Sequence, residues 1–484
     1  MSRSRLFGIL FSGFLVLSLV GVAQALTPLE ELGKFLFFDT NLSTPPGQAC
    51  ASCHAPETGF TGPDSEINDT QVAYPGAIHT RAGNRKPPTA AYGGFSPNLH
   101  FDEEEGLFIG GMFWDGRATG WTLDDPLAEQ AEGPFLNPLE QANPNAKSVC
   151  TKVAHSDYAG LFEQVWGPGS VDPVHGVELM YERIARSISA FEQSQDVNPF
   201  TSKYDYYLEG LATLTAEEAE GLALFEGKAM CSACHISEPG EGGLPPLFTD
   251  FTYDNLGIPA NYEIPFYRAQ RKYNIDGYEW FDHGLGGFLA TVPEYSGMAE
   301  ENISKFKVPT LRNVDQRPYP DFVKAYGHNG YFRSLEEITH FYNTRDVEPW
   351  PEPEYGETVN HDELGNLGLT PEEEAAVVAF MKTLNDGFVP ETVAKSAGEA
   401  ERLLLTRSVD DSRAVFRFNL ASGSHARLDV YDLRGRRLAR LADGWIGAGT
   451  HQYPFATDRL ASGVYFARLV ADGQIATTKF TFVK

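Results

Sequence analysis

The chain has 484 residues, more than one hydrophobic core usually holds, so two or three domains are expected. Its formal charge of −28, with no basic cluster to offset it, argues against nucleic acid and anionic lipid as partners. Residues 1–25 have the layout of a secretory signal: Arg3 and Arg5, an apolar run from Leu6 to Val22, then Ala23-Gln24-Ala25 as a small-residue cleavage site. Export to the periplasm is expected, with an extracellular or cell-surface location as the alternative. An uncleaved signal anchor is a second alternative, since the apolar run is at the short end for spanning a bilayer.

Thr27-Pro28-Leu29-Glu30 reads as a helix start, with Thr27 as N-cap, Pro28 at the first helical position and Glu30 completing a capping box. That helix leads into Cys50-Ala51-Ser52-Cys53-His54. C-x-x-C-H is the spacing at which two thiols close on the vinyl groups of a haem and leave the histidine as an axial iron ligand. The same pattern returns at Cys231-Ser232-Ala233-Cys234-His235 after a matching start at Thr215-Ala216-Glu217-Glu218, so a module repeats about 180 residues on. A thiol oxidoreductase pair has no need of the following histidine, and a four-cysteine zinc site would leave both histidines idle. Two covalently bound haem c groups are therefore expected, with His54 and His235 on the two irons. The fifth cysteine, Cys150, has no partner left and reads as a structural thiol on a helix.

A third helix start, Thr370-Pro371-Glu372-Glu373, closes the second module. Residues 391–400 read as a linker by composition. Beyond it the pattern becomes strand-like, with Val415-Phe416-Arg417-Phe418, Ala426 to Tyr431, Val464 to Leu469 and Thr478 to Val483 separated by Gly, Asp and Ser turns. The expected organisation is a signal peptide over 1–25, a haem domain over 26–205, a second over 206–390, the linker, and a β-sandwich over 401–484. The fold class is mainly α, two cytochrome c-like haem domains with long loops, followed by an immunoglobulin-like β-sandwich.

Further motifs carry a resemblance. Phe113-Trp114-Asp115-Gly116-Arg117, the run from Glu129-Gln130-Ala131 through Gly133-Pro134 to Asn137-Pro138-Leu139-Glu140, and Phe306-Lys307-Val308-Pro309-Thr310-Leu311-Arg312-Asn313-Val314 stand in order around the two haem motifs. From about Leu26 to Phe388 the chain resembles the bacterial di-haem cytochrome c peroxidase and MauG family. The tail resembles the FlgD-like and type IX secretion sorting domains, through Val430-Tyr431-Asp432-Leu433-Arg434-Gly435, Leu460-Ala461-Ser462-Gly463-Val464-Tyr465 and the final Lys484.

The resemblance implies hydrogen peroxide as the oxidant, reduced at the haem of His54, with a small c-type cytochrome or cupredoxin as electron donor. It implies Gln130 and Glu140 in the peroxide pocket, the carboxylate moving a proton between the peroxide oxygens and the amide orienting the substrate. Trp114 matches a tryptophan between the haems, and Arg312 would partner haem propionates. Asn84 matches a calcium ligand of side-chain oxygen type, and His79 lies near where peroxidases carry a displaceable distal histidine. Counting fourteen residues from His328, where the peroxidases have methionine and MauG has tyrosine, reaches Tyr342, with Met298 as the other candidate for the second iron. Tyrosine there favours MauG-like oxidation of a protein or organic substrate. A di-haem electron carrier without turnover is the reading from another class. The family also includes homodimers, and the tail would engage a type IX-like secretion machinery.

Overall fold

The computed structural model describes residues 25–390 and, apart from short turns, 405–482. The signal-like segment through residue 24, the linker expected at 391–400, and Leu433-Arg434-Gly435, Ala461-Ser462 and Lys484 of the sorting-like motifs lie outside the described residues. The described residues fall into two compact units, one within Leu26–Ala394 and one within Lys395–Lys484.

The first half of the larger unit contains α1 (Pro28–Phe38), α2 (Ser65–Thr70), α3 (Pro126–Leu136), α4 (Ala146–Ala154), α5 (Ala159–Trp166) and α6 (Val177–Glu192). The second half contains α7 (Lys203–Leu208), α8 (Ala216–Glu226), α9 (Gly284–Leu289), α10 (Leu335–Thr344) and α11 (Pro371–Lys382). Two small antiparallel ribbons, β1 (His100–Asp102) with β2 (Leu107–Ile109) and β3 (Tyr253–Asp254) with β4 (Phe306–Lys307), punctuate long loops. All three helix starts seen in the sequence are reciprocal capping boxes: Thr27 with Glu30, Thr215 with Glu218 and Thr370 with Glu373.

The internal repeat is a repeat of helix crossings. At Gly33 of α1, an added Cβ would lie 1.8 Å from the Ser187 carbonyl oxygen of α6; at Gly221 of α8 it would lie 1.9 Å from the Ala376 carbonyl oxygen of α11. Each half thus brings the helix that leads into its C-x-x-C-H motif and its last helix into backbone contact at a residue without a side chain. Leu32, Leu36, Phe37 and Phe191 pack around the first crossing, and Phe225, Val377 and Phe380 around the second. Cys150 is fully buried in the first core, as a structural thiol should be.

The two halves also hold each other. Arg85 makes a bidentate ion pair with Asp282, both contacts at 2.6 Å, and Lys324 Nζ donates to the carbonyls of Thr58 at 2.9 Å and Asn313 at 2.8 Å.

The smaller unit is antiparallel throughout: β5 (Thr406–Val409), β6 (Arg413–Leu420), β7 (Ser424–Asp432), β8 (Arg437–Ile446), β9 (Gly449–Ala456), β10 (Gly463–Ala471) and β11 (Gln474–Phe482). They form sheets of order β11-β10-β7-β8 and β5-β6-β9. Alternation decides which faces meet: Ala414, Phe416, Phe418 and Leu420 of β6 and Tyr465, Ala467, Leu469 and Ala471 of β10 are all buried. Phe416 meets Phe480 across that shared core at 5.4 Å between ring centroids.

Candidate active site

Each C-x-x-C-H forms one tight turn that turns both thiols and the imidazole toward the same space. The turn spans Cys50–Ser52 in one half, where His54 N–H donates to the Cys50 carbonyl at 3.0 Å, and Cys231–Ala233 in the other, where His235 N–H donates to Cys231 at 2.9 Å. Each motif lines its own cavity. His54 Nδ1 sits 3.2 Å from the Phe60 carbonyl and His235 Nδ1 2.8 Å from the Phe248 carbonyl. A donor role for Nδ1 leaves the lone pair on Nε2, the nitrogen a metal takes. Burial lowers both imidazoles to a pKa of about 4, so they are neutral, as ligands must be. The same burial pushes Cys53 and Cys231 up to about 12 and Cys50 and Cys234 higher still. These thiols are not poised as free nucleophiles.

The surroundings fit a haem. Gln48 Oε1, Gln141 Oε1 and Glu192 Oε2 are buried without a hydrogen-bond partner, and all three residues border the His54 cavity. Lys86, Lys307 and Lys324 border the His235 cavity, and among the described residues none pairs with a carboxylate; they donate to carbonyls and hydroxyls instead. Burial lowers Lys86 to about 8 and Lys307 to about 7. Haem brings two propionate carboxylates, the missing counter-charge.

Trp114 lines both cavities. It is 8% exposed, donates Nε1–H to the Lys86 carbonyl at 2.9 Å, and accepts from Lys307 N–H through its own carbonyl at 2.9 Å. The neighbouring residues explain the motif around it. Asp115 bridges Arg85 and Arg117, both at 2.6 Å, and Gly116 has φ +73° in a spot where a Cβ would strike the Tyr253 hydroxyl at 2.5 Å. Gln130, on α3, and Glu140, in the turn after it, both line the His54 cavity. Glu140 Oε1 accepts from Asn137 Nδ2 at 2.9 Å. Burial raises its pKa, against the opposing pull of Arg117 and Asn137.

Tyr342, on α10, lines the His235 cavity, and burial raises its phenol. Met298 packs instead with Leu99, Phe108 and Leu285, away from that cavity; the methionines on its wall are Met230 and Met381. Asn84 lines the His54 cavity beside Arg85 and Lys86.

Two of the expected residues are placed less directly. His79 is exposed and not among the residues lining either cavity. Arg312 borders the His235 cavity, but its guanidinium is 1% exposed and committed elsewhere: Nη1 and Nη2 bind Asp205 at 3.0 and 2.8 Å, Nε binds the Pro246 carbonyl at 2.6 Å, and the plane lies over Phe200 and Tyr92. Its charge is already paired with Asp205, whereas Lys86, Lys307 and Lys324 meet no carboxylate among the described residues.

Comparison with known proteins agrees with this geometry. A family model described as di-haem cytochrome c peroxidase matches residues 27–213. The methylamine utilization protein MauG of Paracoccus denitrificans is 33% identical over 384 residues, covering 76% of this chain and 92% of that protein. The chain belongs to the di-haem cytochrome c peroxidase and MauG family. The cytochrome c551 peroxidase of Nitrosomonas europaea is 30% identical over 366 residues, 75% of this chain and 82% of that one. The crystal structure of the diheme peroxidase BthA from Burkholderia thailandensis superposes with a TM-score of 0.63 at 30% identity, over 76% of this chain and 88% of that one. Membership makes the protein an oxidoreductase of the cytochrome c peroxidase type and implies two c-type haems, the groups that the two cavities fit.

Sequence reasoning missed several cavity residues. Glu192 is 4% exposed on α6 and burial raises it to about 8, yet helical periodicity offers no reason to single it out. Asp254 and Glu363, which border the His235 cavity, share one donor, Asn360 Nδ2, at 2.7 Å each; they lie more than a hundred residues apart and only the fold joins them.

Proposed function

We propose that the protein reduces hydrogen peroxide to water in the His54 cavity, with electrons from a small c-type cytochrome or cupredoxin passing through the His235 cavity and Trp114. Haem bound in these cavities supplies the iron that exchanges electrons with peroxide. Everything else falls to side chains. Glu140 accepts a proton from one peroxide oxygen and returns it to the other, turning a poor leaving group into water. Gln130 orients the substrate without titrating. Burial that raises Glu140 holds its proton affinity nearer that of its task than an exposed carboxylate would. The observation that carries the reading is that one tryptophan lines both cavities. The test is peroxide-dependent oxidation of reduced cytochrome c by the purified holoenzyme: turnover supports an enzyme, and its absence leaves an electron carrier.

A second reading, MauG-like oxidation of a protein or organic substrate, is favoured by Tyr342 in the His235 cavity. An oxygen ligand there stabilises the more oxidised iron, whereas a thioether stabilises the reduced one. The remaining assignments belong to the same proposal. Calcium would use the Asn84 side-chain oxygen, and removal by a chelator followed by the haem spectra tests it. Export, a sorting role for the β unit and its engagement of a type IX-like machinery are tested by fractionating cells that produce the chain with and without residues 401–484. Sedimentation tests the homodimer.

A further inference from the structure

One group of aromatic residues takes no part in the peroxide chemistry proposed for the two cavities. Tyr262 and Tyr278 are 56% and 59% exposed, and both face Tyr267, with ring centroids at 4.9 and 6.3 Å. Tyr267 itself is 2% exposed. Its hydroxyl donates to Glu354 Oε1 at 3.3 Å, and the other carboxylate oxygen lies 3.0 Å from His328 Nε2. The His328 ring stacks on Phe306 at 3.6 Å between centroids and 9° between planes, and both rings line the His235 cavity. Hydrophobic packing alone would not seat a buried phenol on a carboxylate whose other oxygen meets an imidazole. A phenol that gives up an electron becomes strongly acidic and needs a proton acceptor in place, and Glu354 is that acceptor.

We propose that Tyr262 and Tyr278 form a second point of electron supply, where small neutral phenols are oxidised one electron at a time through Tyr267, Glu354 and His328. The inference rests on the peroxidase reading, because peroxide is the oxidant. Overall, one H₂O₂ and two phenols give two waters and two phenoxyl radicals: the O–O bond breaks, and each phenol loses one electron and its hydroxyl proton to the waters formed. Within the relay, Tyr267 gives an electron toward the Phe306 and His328 wall and its proton to Glu354. Tyr267 is restored by an electron from Tyr262 or Tyr278 and the returning proton, and the external phenol restores the exposed tyrosine. The two exposed tyrosine rings, 6.4 Å apart between centroids and tilted by 41°, offer aromatic surface that suits a neutral phenol and gives the protein's net charge of −28 nothing to repel.

The test compares wild-type holoenzyme with Tyr267→Phe and with the surface double variant Tyr262→Phe/Tyr278→Phe, each given peroxide with guaiacol or with reduced cytochrome c. Both variants should lose guaiacol oxidation by about ten-fold or more and keep cytochrome c oxidation within about two-fold. With no donor present, peroxide should leave a tyrosyl radical signal by electron paramagnetic resonance in the wild type, and mass spectrometry should find oxidised Tyr262 and Tyr278. Tyr319, also exposed at 48%, should stay unmodified. Guaiacol oxidation at the wild-type rate in either variant, or oxidation spread equally to Tyr319, overturns the relay. Failure of cytochrome c oxidation in the wild type would count instead against the peroxidase reading.

Discussion

Replacing Glu140 by Gln isolates its proton from its shape. The amide keeps the side chain's volume, and its carbonyl oxygen can still accept the Asn137 hydrogen bond that Glu140 Oε1 accepts at 2.9 Å, so the turn after α3 should survive. What disappears is the titratable carrier in the His54 cavity. General acid–base groups contribute about 10²- to 10⁴-fold, which corresponds to a barrier increase of about 3–5 kcal/mol at roughly 1.4 kcal/mol per decade. Rapid mixing of the holoenzyme with peroxide reads this directly, before any donor limits the rate. The pH profile adds a second signature. Burial raises the carboxyl above its ordinary 4.5, so the wild-type rate should fall as pH drops through a pKa higher than that, when the carboxylate that takes the first proton is lost. Glu140→Gln should lack that limb. Glu132→Gln is the control: its carboxyl is also raised by burial, but it does not line the cavity. Equal rates for Glu140→Gln and wild type would refute the assignment and reduce Glu140 to a turn residue.

Three further outcomes follow from the geometry. Tyr342→Phe should alter the absorption spectrum and potential of the haem at His235 while mass spectrometry still counts two haems; an unchanged spectrum would direct attention to Met230 or Met381, which share that wall. Gly221→Ala should lower the melting temperature, because a methyl group 1.9 Å from the Ala376 carbonyl oxygen puts the overpacking cost at about 3 kcal/mol, the top of the usual range, against a helix-propensity gain of about 1 kcal/mol; Gly160→Ala on α5, with nothing within 4 Å, should be neutral or stabilising. Glu192, raised from 4.5 to about 8, binds a proton in the folded protein that the unfolded chain releases, so its contribution falls as pH rises from 4.5 to 8. Glu192→Gln should flatten that part of the stability-against-pH curve, measured by thermal melts of the holoenzyme.

What the sequence revealed was mostly local. The capping boxes at Thr27, Thr215 and Thr370 depend on residues three apart, and C-x-x-C-H brings its own ligand set in five residues, so both were readable without a fold. Trp114, Gln130, Glu140 and Tyr342 were found by family resemblance, and the fold brings each to a cavity wall. The pairing of Arg312 was not legible, because its partner, Asp205, lies 107 residues away and no local pattern announces a bidentate pair. His79 was placed by spacing alone, and spacing does not say whether a loop turns a side chain inward. The helix crossings at Gly33 and Gly221 were equally hidden, since a glycine inside a helix reads as a weakness until the neighbouring backbone is seen. Lys86, Lys307 and Lys324 look like surface residues until a cavity without a matching carboxylate shows what they face.

Trp114, on the wall of both cavities, is the proposed route by which electrons cross between them. The direct measurement is rapid mixing of fully reduced holoenzyme with one equivalent of peroxide, following the two haems separately by their spectra, for wild type and Trp114→Phe. Both haems should oxidise together in the wild type, and in Trp114→Phe the haem at His54 should react at the normal rate while oxidation of the haem at His235 lags. Oxidation of the His235 haem at the wild-type rate in Trp114→Phe would contradict that route.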